Sequence, residues 1–170
     1  MTHHPLINAR RKAIFRIVGI AALALTTWSL PRIASGQSTT STTAMKIGII
    51  GSGNIGSTVG TLLVKAGHPV LFSSRHPEEL KQLVHGLGPL ARAGTVKEAF
   101  TFGDVVFIGV PYGAYPQIGK DYARDFNRKI VLDAGNAVLK RDGEIANEAR
   151  ESSIGITSAK YLAGARIVRA

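Results

Sequence analysis

The sequence predicts an α/β protein built on a doubly wound parallel sheet, and three observations lead there. Short β-branched runs recur at Lys46–Ile50, Val70–Phe72, Asp104–Val110, Lys129–Asp133 and Ala165–Arg169. Segments with apolar residues at helical spacing fall between them, the alternation expected of βαβ units. The first run also passes directly into a glycine-rich loop followed by a helix-forming stretch. The composition agrees: 45% hydrophobic and 19% charged residues over a length of 170 exclude a disordered or collagen-like chain. With no Cys there is no disulfide framework, thiolate metal cluster or thiol nucleophile, and no metal site is predicted.

Residues 1–36 read as a signal peptide. Arg10, Arg11, Lys12 and Arg16 precede an apolar run from Ile17 to Leu30, which ends near the small residues Ala34, Ser35 and Gly36. Fourteen helical residues reach about 21 Å, short of the roughly 30 Å hydrocarbon core, so no stable membrane span is expected. The paired arginines resemble a twin-arginine signal, although Ala13 stands where that motif has a bulky apolar residue. The predicted location is therefore outside the cytoplasm, periplasmic in a bacterium; a start at Met45, or an uncleaved anchor, are the alternatives. Residues 37–44, all small or polar, form a linker, and residues 45–170 form the folded domain.

The formal charge of +10 suggests nucleic-acid binding at first. Residues 1–44 contribute +5 of it, leaving 16 basic against 11 acidic residues in the domain. No basic run with interleaved aromatics follows, so no nucleic-acid partner is predicted.

From Met45 the chain reads strand, loop, helix. The loop Gly51-Ser52-Gly53-Asn54-Ile55-Gly56 is Gly-x-Gly-x-x-Gly in the context that gives it meaning, after a buried strand and before a helix over Ser57–Ala66. That helix carries Ile55, Val59, Leu62 and Leu63 as its apolar stripe and ends at Gly67. Gly51 permits the sharp turn, Gly53 lets a pyrophosphate approach the backbone, and Gly56 lets helix and strand pack closely. The helix N-terminus offers unpaired N–H groups to the anion. The prediction is a Rossmann-type fold that binds a small-molecule dinucleotide.

The end of the second strand selects which dinucleotide. An NAD site usually places Asp or Glu there to accept from the ribose 2′-hydroxyl. This chain instead reads Ser73-Ser74-Arg75-His76-Pro77, with no acid before Glu78. A carboxylate would repel a 2′-phosphate, whereas a hydroxyl and a guanidinium bind it. Ser74 and Arg75 are the expected ligands, with Ser73 and His76 as candidate helpers, and NADP(H) is the expected cofactor.

A helix over Pro77–Leu87 starts on a proline at its first position. A weak strand near Leu90–Ala93 and a helix over Val96–Phe102 follow. Asp104–Val110 is the strongest buried strand, stopped by Pro111. Because ligands sit beyond the carboxyl ends of parallel strands, Val110, Pro111 and Tyr112 should border the cofactor. Tyr115–Phe126 is predicted as one helix. Asp133, at the end of the next strand, is read equally as a loop-capping carboxylate or as a neighbour of the nicotinamide. No catalytic residue is assigned.

Met45 to Arg75, together with Val-Val-Phe-Ile-Gly-Val-Pro-Tyr at 105–112, resembles the NADP-dependent coenzyme F-420 oxidoreductases, related also to the N-terminal domain of pyrroline-5-carboxylate reductase. The resemblance runs from Met45 to nearly Ala170. It implies that the glycine loop, Ser74 and Arg75 hold NADPH, and that a hydride is exchanged between NADP(H) and a deazaflavin such as coenzyme F-420. It also implies a homodimer. Members of that family continue past the last strand, so the chain resembles a truncated member. Two functions compete: an NADP-dependent oxidoreductase, which needs no acid–base constellation because hydride exchange between two carriers can run on proximity; or an NADPH-binding module or sensor without turnover, of which an inactive truncated member is one form.

Overall fold

The computed structural model describes residues 43–170. The signal-peptide reading, and all of the linker except Thr43 and Ala44, lie outside those residues. Six strands form one sheet: β1 (Ile47–Ile50), β2 (Val70–Ser73), β3 (Ala91–Gly94), β4 (Val105–Ile108), β5 (Ile130–Asp133) and β6 (Arg166–Arg169). Their order is β3-β2-β1-β4-β5-β6, and all five pairings are parallel. The chain winds outward from β1 to β3, crosses over, and winds outward again from β4 to β6. This is the doubly wound arrangement, and its reversal point lies between β1 and β4.

Period-two alternation divides the sheet between two cores. Ile50, Val106, Ile108 and Val131 face one side with Phe100, Tyr112, Tyr115, Phe126 and Leu162. Ile49, Phe72 and Phe107 face the other with Ile47, Val70 and Val64. Strands buried on both faces read as unbroken apolar runs, which is why β1 and β4 were legible from sequence.

Eight short helices connect the strands: α1 (Asn54–Lys65), α2 (Lys81–Leu87), α3 (Val96–Phe102), α4 (Tyr115–Asp121), α5 (Ala123–Phe126), α6 (Leu139–Asp142), α7 (Glu144–Glu151) and α8 (Ile154–Tyr161). Four stretches differ from expectation. First, α1 begins three residues earlier than expected and buries Gly56, Gly60 and Val64. Ile55 and Leu62, assigned to its apolar stripe, are 55% and 59% exposed. The helix lies so close over its first two turns that a Cβ on Gly56 would overlap the loop after β1 and one on Gly60 the sheet itself, while Val59 and Leu63 pack at its flank. Second, the helix expected over Pro77–Leu87 opens as a 3₁₀ turn, Pro77–Leu80, before α2. Third, the expected Tyr115–Phe126 helix breaks at Tyr122, whose φ of −117° and ψ of 24° leave the helical region. Tyr122 stacks on Phe100 there, with ring centroids 5.6 Å apart.

Fourth, residues 139–161 fold into α6, α7 and α8, which the sequence reading left unassigned. Gly143, at φ +63°, lets α6 turn directly into α7. Ser153 caps α8 by accepting from the Ile156 amide at 3.2 Å. By contrast α3 begins as expected, on a reciprocal Thr95–Glu98 capping box. No helix among the described residues is long and apolar enough to cross a membrane.

Candidate functional site

At the carboxyl ends of β1, β2 and β4 the structure opens a cavity of about 660 Å³. Gly51, Ser52, Gly53, Ser74, Arg75, Val110 and Pro111 line it, so seven of the ten residues expected to bind the cofactor come together around one space. The other three do not line it, and neither does Tyr112, which is fully buried with its hydroxyl donating to the Ile154 carbonyl at 2.9 Å. Asn54 and Ile55 are exposed on the first turn of α1, and Gly56 is buried behind the loop.

The loop is held by its neighbours. The Ser52 N–H and its hydroxyl both donate to the Ser73 carbonyl at 3.1 Å, tying the loop to the end of β2. The buried Ser73 hydroxyl in turn donates to the Ile49 carbonyl at 2.6 Å, so Ser73 is not free to help hold a phosphate, and the exposed His76 does not line the cavity either. Gly51 sits at φ +86°, a conformation that favours glycine, and a Cβ there would overlap Val110. A Cβ on Gly56 would overlap the Gly51 carbonyl oxygen. Gly53 differs from both, since a Cβ built on it meets nothing within 4 Å. It borders open space where an approaching group can reach the backbone.

Gly53 caps α1 without a side-chain hydrogen bond, and the first turn holds no acid. The leading N–H groups are therefore left for an anion, and the helix dipole adds positive potential. Across the cavity, Ser74 Oγ accepts from the His76 amide at 3.1 Å and keeps its own hydrogen to donate. Arg75 is exposed and, among the described residues, forms no ion pair. Glu79 and Asp121 also line the cavity, and Asp121 accepts from Gln117 Nε2 at 2.7 Å. Between these polar groups lie Leu80, Val96, Ile118 and Tyr122, an apolar slot suited to a flat ring. Nothing in the sequence marked these four residues as a group, because they come from three separate stretches of the chain.

Asp133 takes the capping role of its two readings. It is fully buried, and Oδ1 accepts from the Gly135 amide at 2.8 Å and from the Tyr115 hydroxyl at 2.6 Å. Arg169 Nη1 lies 2.9 Å from Oδ2, but its hydrogen bond goes to the Asp133 carbonyl at 3.1 Å, so Oδ2 has charge compensation without a hydrogen bond. Burial alone would raise this carboxyl, yet Tyr115, Ser158, the Gly135 amide and Arg169 together hold it below the ordinary range. Burial, and then the bond to Asp133, push the Tyr115 hydroxyl up, keeping it a proton donor.

The family model of the coenzyme F420-dependent NADP oxidoreductases matches residues 46–137, more than half of the chain. The chain belongs to this family. The match spans β1 to β5 and the loop after Asp133, and it includes every residue lining the cavity. No curated protein matches the chain.

Among solved structures, a hypothetical protein of Sinorhizobium meliloti is 28% identical with a TM-score of 0.57, over 76% of this chain and 62% of that one. An imine reductase of Bacillus cereus is 22% identical with a TM-score of 0.55, over 73% of this chain and 39% of its own length. A glycerol-3-phosphate dehydrogenase of Coxiella burnetii is 16% identical with a TM-score of 0.51, over 74% and 39%. The chain thus spans about two-fifths of each of these enzymes and under two-thirds of the Sinorhizobium protein. The last two likenesses establish the fold. The family match over residues 46–137 makes this fold an NAD(P)-dependent oxidoreductase-type Rossmann domain.

Proposed function

We propose that this domain binds NADP(H) and serves an oxidoreductase that passes a hydride between the nicotinamide and a second carrier, a deazaflavin of the coenzyme F-420 type being the acceptor the family suggests. The observation that carries the reading is the meeting of Ser74 and Arg75 with the glycine loop in one cavity. The residues present fit the dinucleotide. The uncapped N-terminus of α1 and the open space at Gly53 suit its pyrophosphate. Ser74 and Arg75 suit a 2′-phosphate on the adenosine ribose, and Leu80, Val96 and Ile118 give the adjoining base an apolar slot.

With the adenosine end anchored at β2, the strand order directs the nicotinamide end the opposite way, past Val110 and Pro111 toward the carboxyl ends of β4 and β5. When bound, the nicotinamide supplies or accepts the hydride. The chain's own work is to bind and orient, because such an exchange gains its rate from holding two rings at the right distance. Glu79 and Asp121 line the same cavity, so the net field there is not strongly positive. The preference for a 2′-phosphate rests on direct contacts at Ser74 and Arg75.

Calorimetric titration with NADPH and with NADH tests this reading. Tighter binding of NADPH, by about ten- to a hundredfold for a charge-assisted contact, is the expected result. Equal affinity would remove the NADP assignment, and no affinity for either would remove the dinucleotide site. Coenzyme F-420 reduction by NADPH, followed by loss of oxidised deazaflavin absorbance, tests the acceptor.

A further inference from the structure

Two loops bound the region toward which the nicotinamide end extends: the one after β4 (residues 109–114) and the one after β5 (residues 134–138). A single carboxylate joins them. Asp142, whose side chain is fully buried at the end of α6, accepts from the Gly113 amide at 3.0 Å through Oδ1 and from the Val138 amide at 2.7 Å through Oδ2. Its neighbour Arg141 grips the same carboxylate with two donors, Nε to Oδ1 and Nη2 to Oδ2, each at 2.8 Å. Arg141 Nη2 also donates to the Asn136 carbonyl at 2.6 Å.

The second loop is thus fixed at three backbone points, Gly135 by Asp133, Asn136 by Arg141 and Val138 by Asp142. Asn136 itself remains exposed between them. Gly113 approaches so closely that a Cβ there would lie 3.3 Å from the Asp142 Cα. Four donors on one buried carboxylate is more than a four-residue helix needs for its own end. The bonds run outward, to two loops from different strands.

We propose that Asp142, with Arg141, is a positioning clamp for the nicotinamide half of the site, holding the loops after β4 and β5 at the spacing that receives the ring. The proposal rests on the dinucleotide reading above. It separates the cofactor into two independently held halves, with the adenosine half anchored by Ser74, Arg75 and the glycine loop, none of which touches the clamp. Breaking the clamp should loosen one half and spare the other.

The test compares two probes on the full chain. Adenosine 2′,5′-bisphosphate occupies only the adenosine half, and NADPH occupies both. For Asp142→Asn, which keeps the shape but removes the charge and one acceptor pattern, the bisphosphate affinity should stay within about twofold, while NADPH weakens by about tenfold or more, the scale of a lost buried charge-assisted bond. The change in nicotinamide fluorescence on binding should shrink in parallel. Arg141→Gln, at a half-exposed side chain, provides a second variant should Asp142→Asn fail to fold, with the same direction expected. Equal losses for both probes, or no loss for either, would overturn the clamp while leaving the dinucleotide site standing. Absence of bisphosphate binding by the unaltered protein would instead overturn the dinucleotide reading itself, and the clamp with it.

Discussion

Gly60 and Phe72 meet without room for one more carbon: a Cβ on Gly60 would overlap the edge of the Phe72 ring at Cε1. The contact seats α1 on β2, and with Gly56 against the Gly51 carbonyl it sets how near the loop comes to the helix. For Gly60→Ala two effects compete. Helix propensity favours Ala by up to about 1 kcal/mol, whereas overpacking a tight core costs about 1–3 kcal/mol. The clash should win, and a urea midpoint below that of the unaltered protein is the expected outcome.

The two loop glycines should separate folding from binding. A Cβ at Gly53 meets nothing within 4 Å, so Gly53→Val should leave thermal stability nearly unchanged while abolishing dinucleotide binding, because the side chain fills the space the pyrophosphate needs. Gly56→Val collides with backbone and should lower stability as well. Differential scanning calorimetry beside ligand titration reads both, and a Gly53→Val protein with full affinity would move the pyrophosphate elsewhere.

These glycines also mark what the sequence could and could not reveal. Strands β1, β2 and β4 were legible because burial on both faces leaves a plain signature, a short, mostly apolar run between turn signals. The loop was legible because its spacing is a chemical requirement. The face of α1 was not, because apolar periodicity points to bulky residues, and here the closest contact is made by the residues with no side chain. The helices over 139–161 were missed for a different reason. Ile145 and Ala149 at helical spacing and Ser153 as a cap were available signals, but α6 to α8 run four to eight residues each, too short for periodicity to stand out. Leu80, Val96 and Ile118 belong together only once the sheet is assembled, so no local pattern could find them.

Tyr115→Phe should destabilise the domain without touching the cavity. The change deletes a 2.6 Å bond to the buried Asp133 carboxylate. Hydrogen bonds to charged groups contribute about 1.5–3 kcal/mol, and chemical denaturation should show a loss of that order. An unchanged midpoint would mean that Arg169 and the Gly135 amide already satisfy the carboxylate.

Acid should weaken the fold through Asp133 and Asp142. Hydrogen bonding to Arg141 pulls the Asp142 carboxyl from its ordinary 3.8 down to about 2, against the opposing effect of burial. A folded-state pKa below the unfolded one means the folded state binds the proton less readily. The stabilisation is therefore complete above about pH 4 and is lost as pH falls toward 2, with Asp133 acting in the same direction. Thermal midpoints measured from pH 5 to pH 2 should fall steeply for the unaltered protein. In Asp142→Asn the fall should be shallower, and an identical slope would show that other carboxylates dominate.

The layout of residues 10–36 predicts export followed by cleavage near Gly36. Mass spectrometry of protein recovered from the native host should find a mature N-terminus close to Gln37. Recovery of soluble cytoplasmic protein still carrying Met1 would remove the export reading and leave the domain's chemistry unaffected.

The choice of dinucleotide turns on two adjacent side chains, so it can be reversed at two positions. Arg75→Ala removes the guanidinium from the cavity and should take most of the NADPH preference with it, a loss of about ten- to a hundredfold in NADPH affinity with little change for NADH. Ser74→Asp should go further, since its carboxylate repels a 2′-phosphate and can accept from a 2′-hydroxyl. Glu79 and Asp121, already lining the cavity, would add to that repulsion once Arg75 no longer offsets them, so the double variant should favour NADH outright. The exposed Arg75 contact is open to screening, and the NADPH advantage of the unaltered protein should therefore shrink as salt rises from 0.05 to about 0.5 M, where the Debye length falls below roughly 5 Å. An NADPH preference that survived both Arg75→Ala and high salt would place the 2′-phosphate on other groups, with the Ser74 hydroxyl and backbone amides of the glycine loop the first to examine.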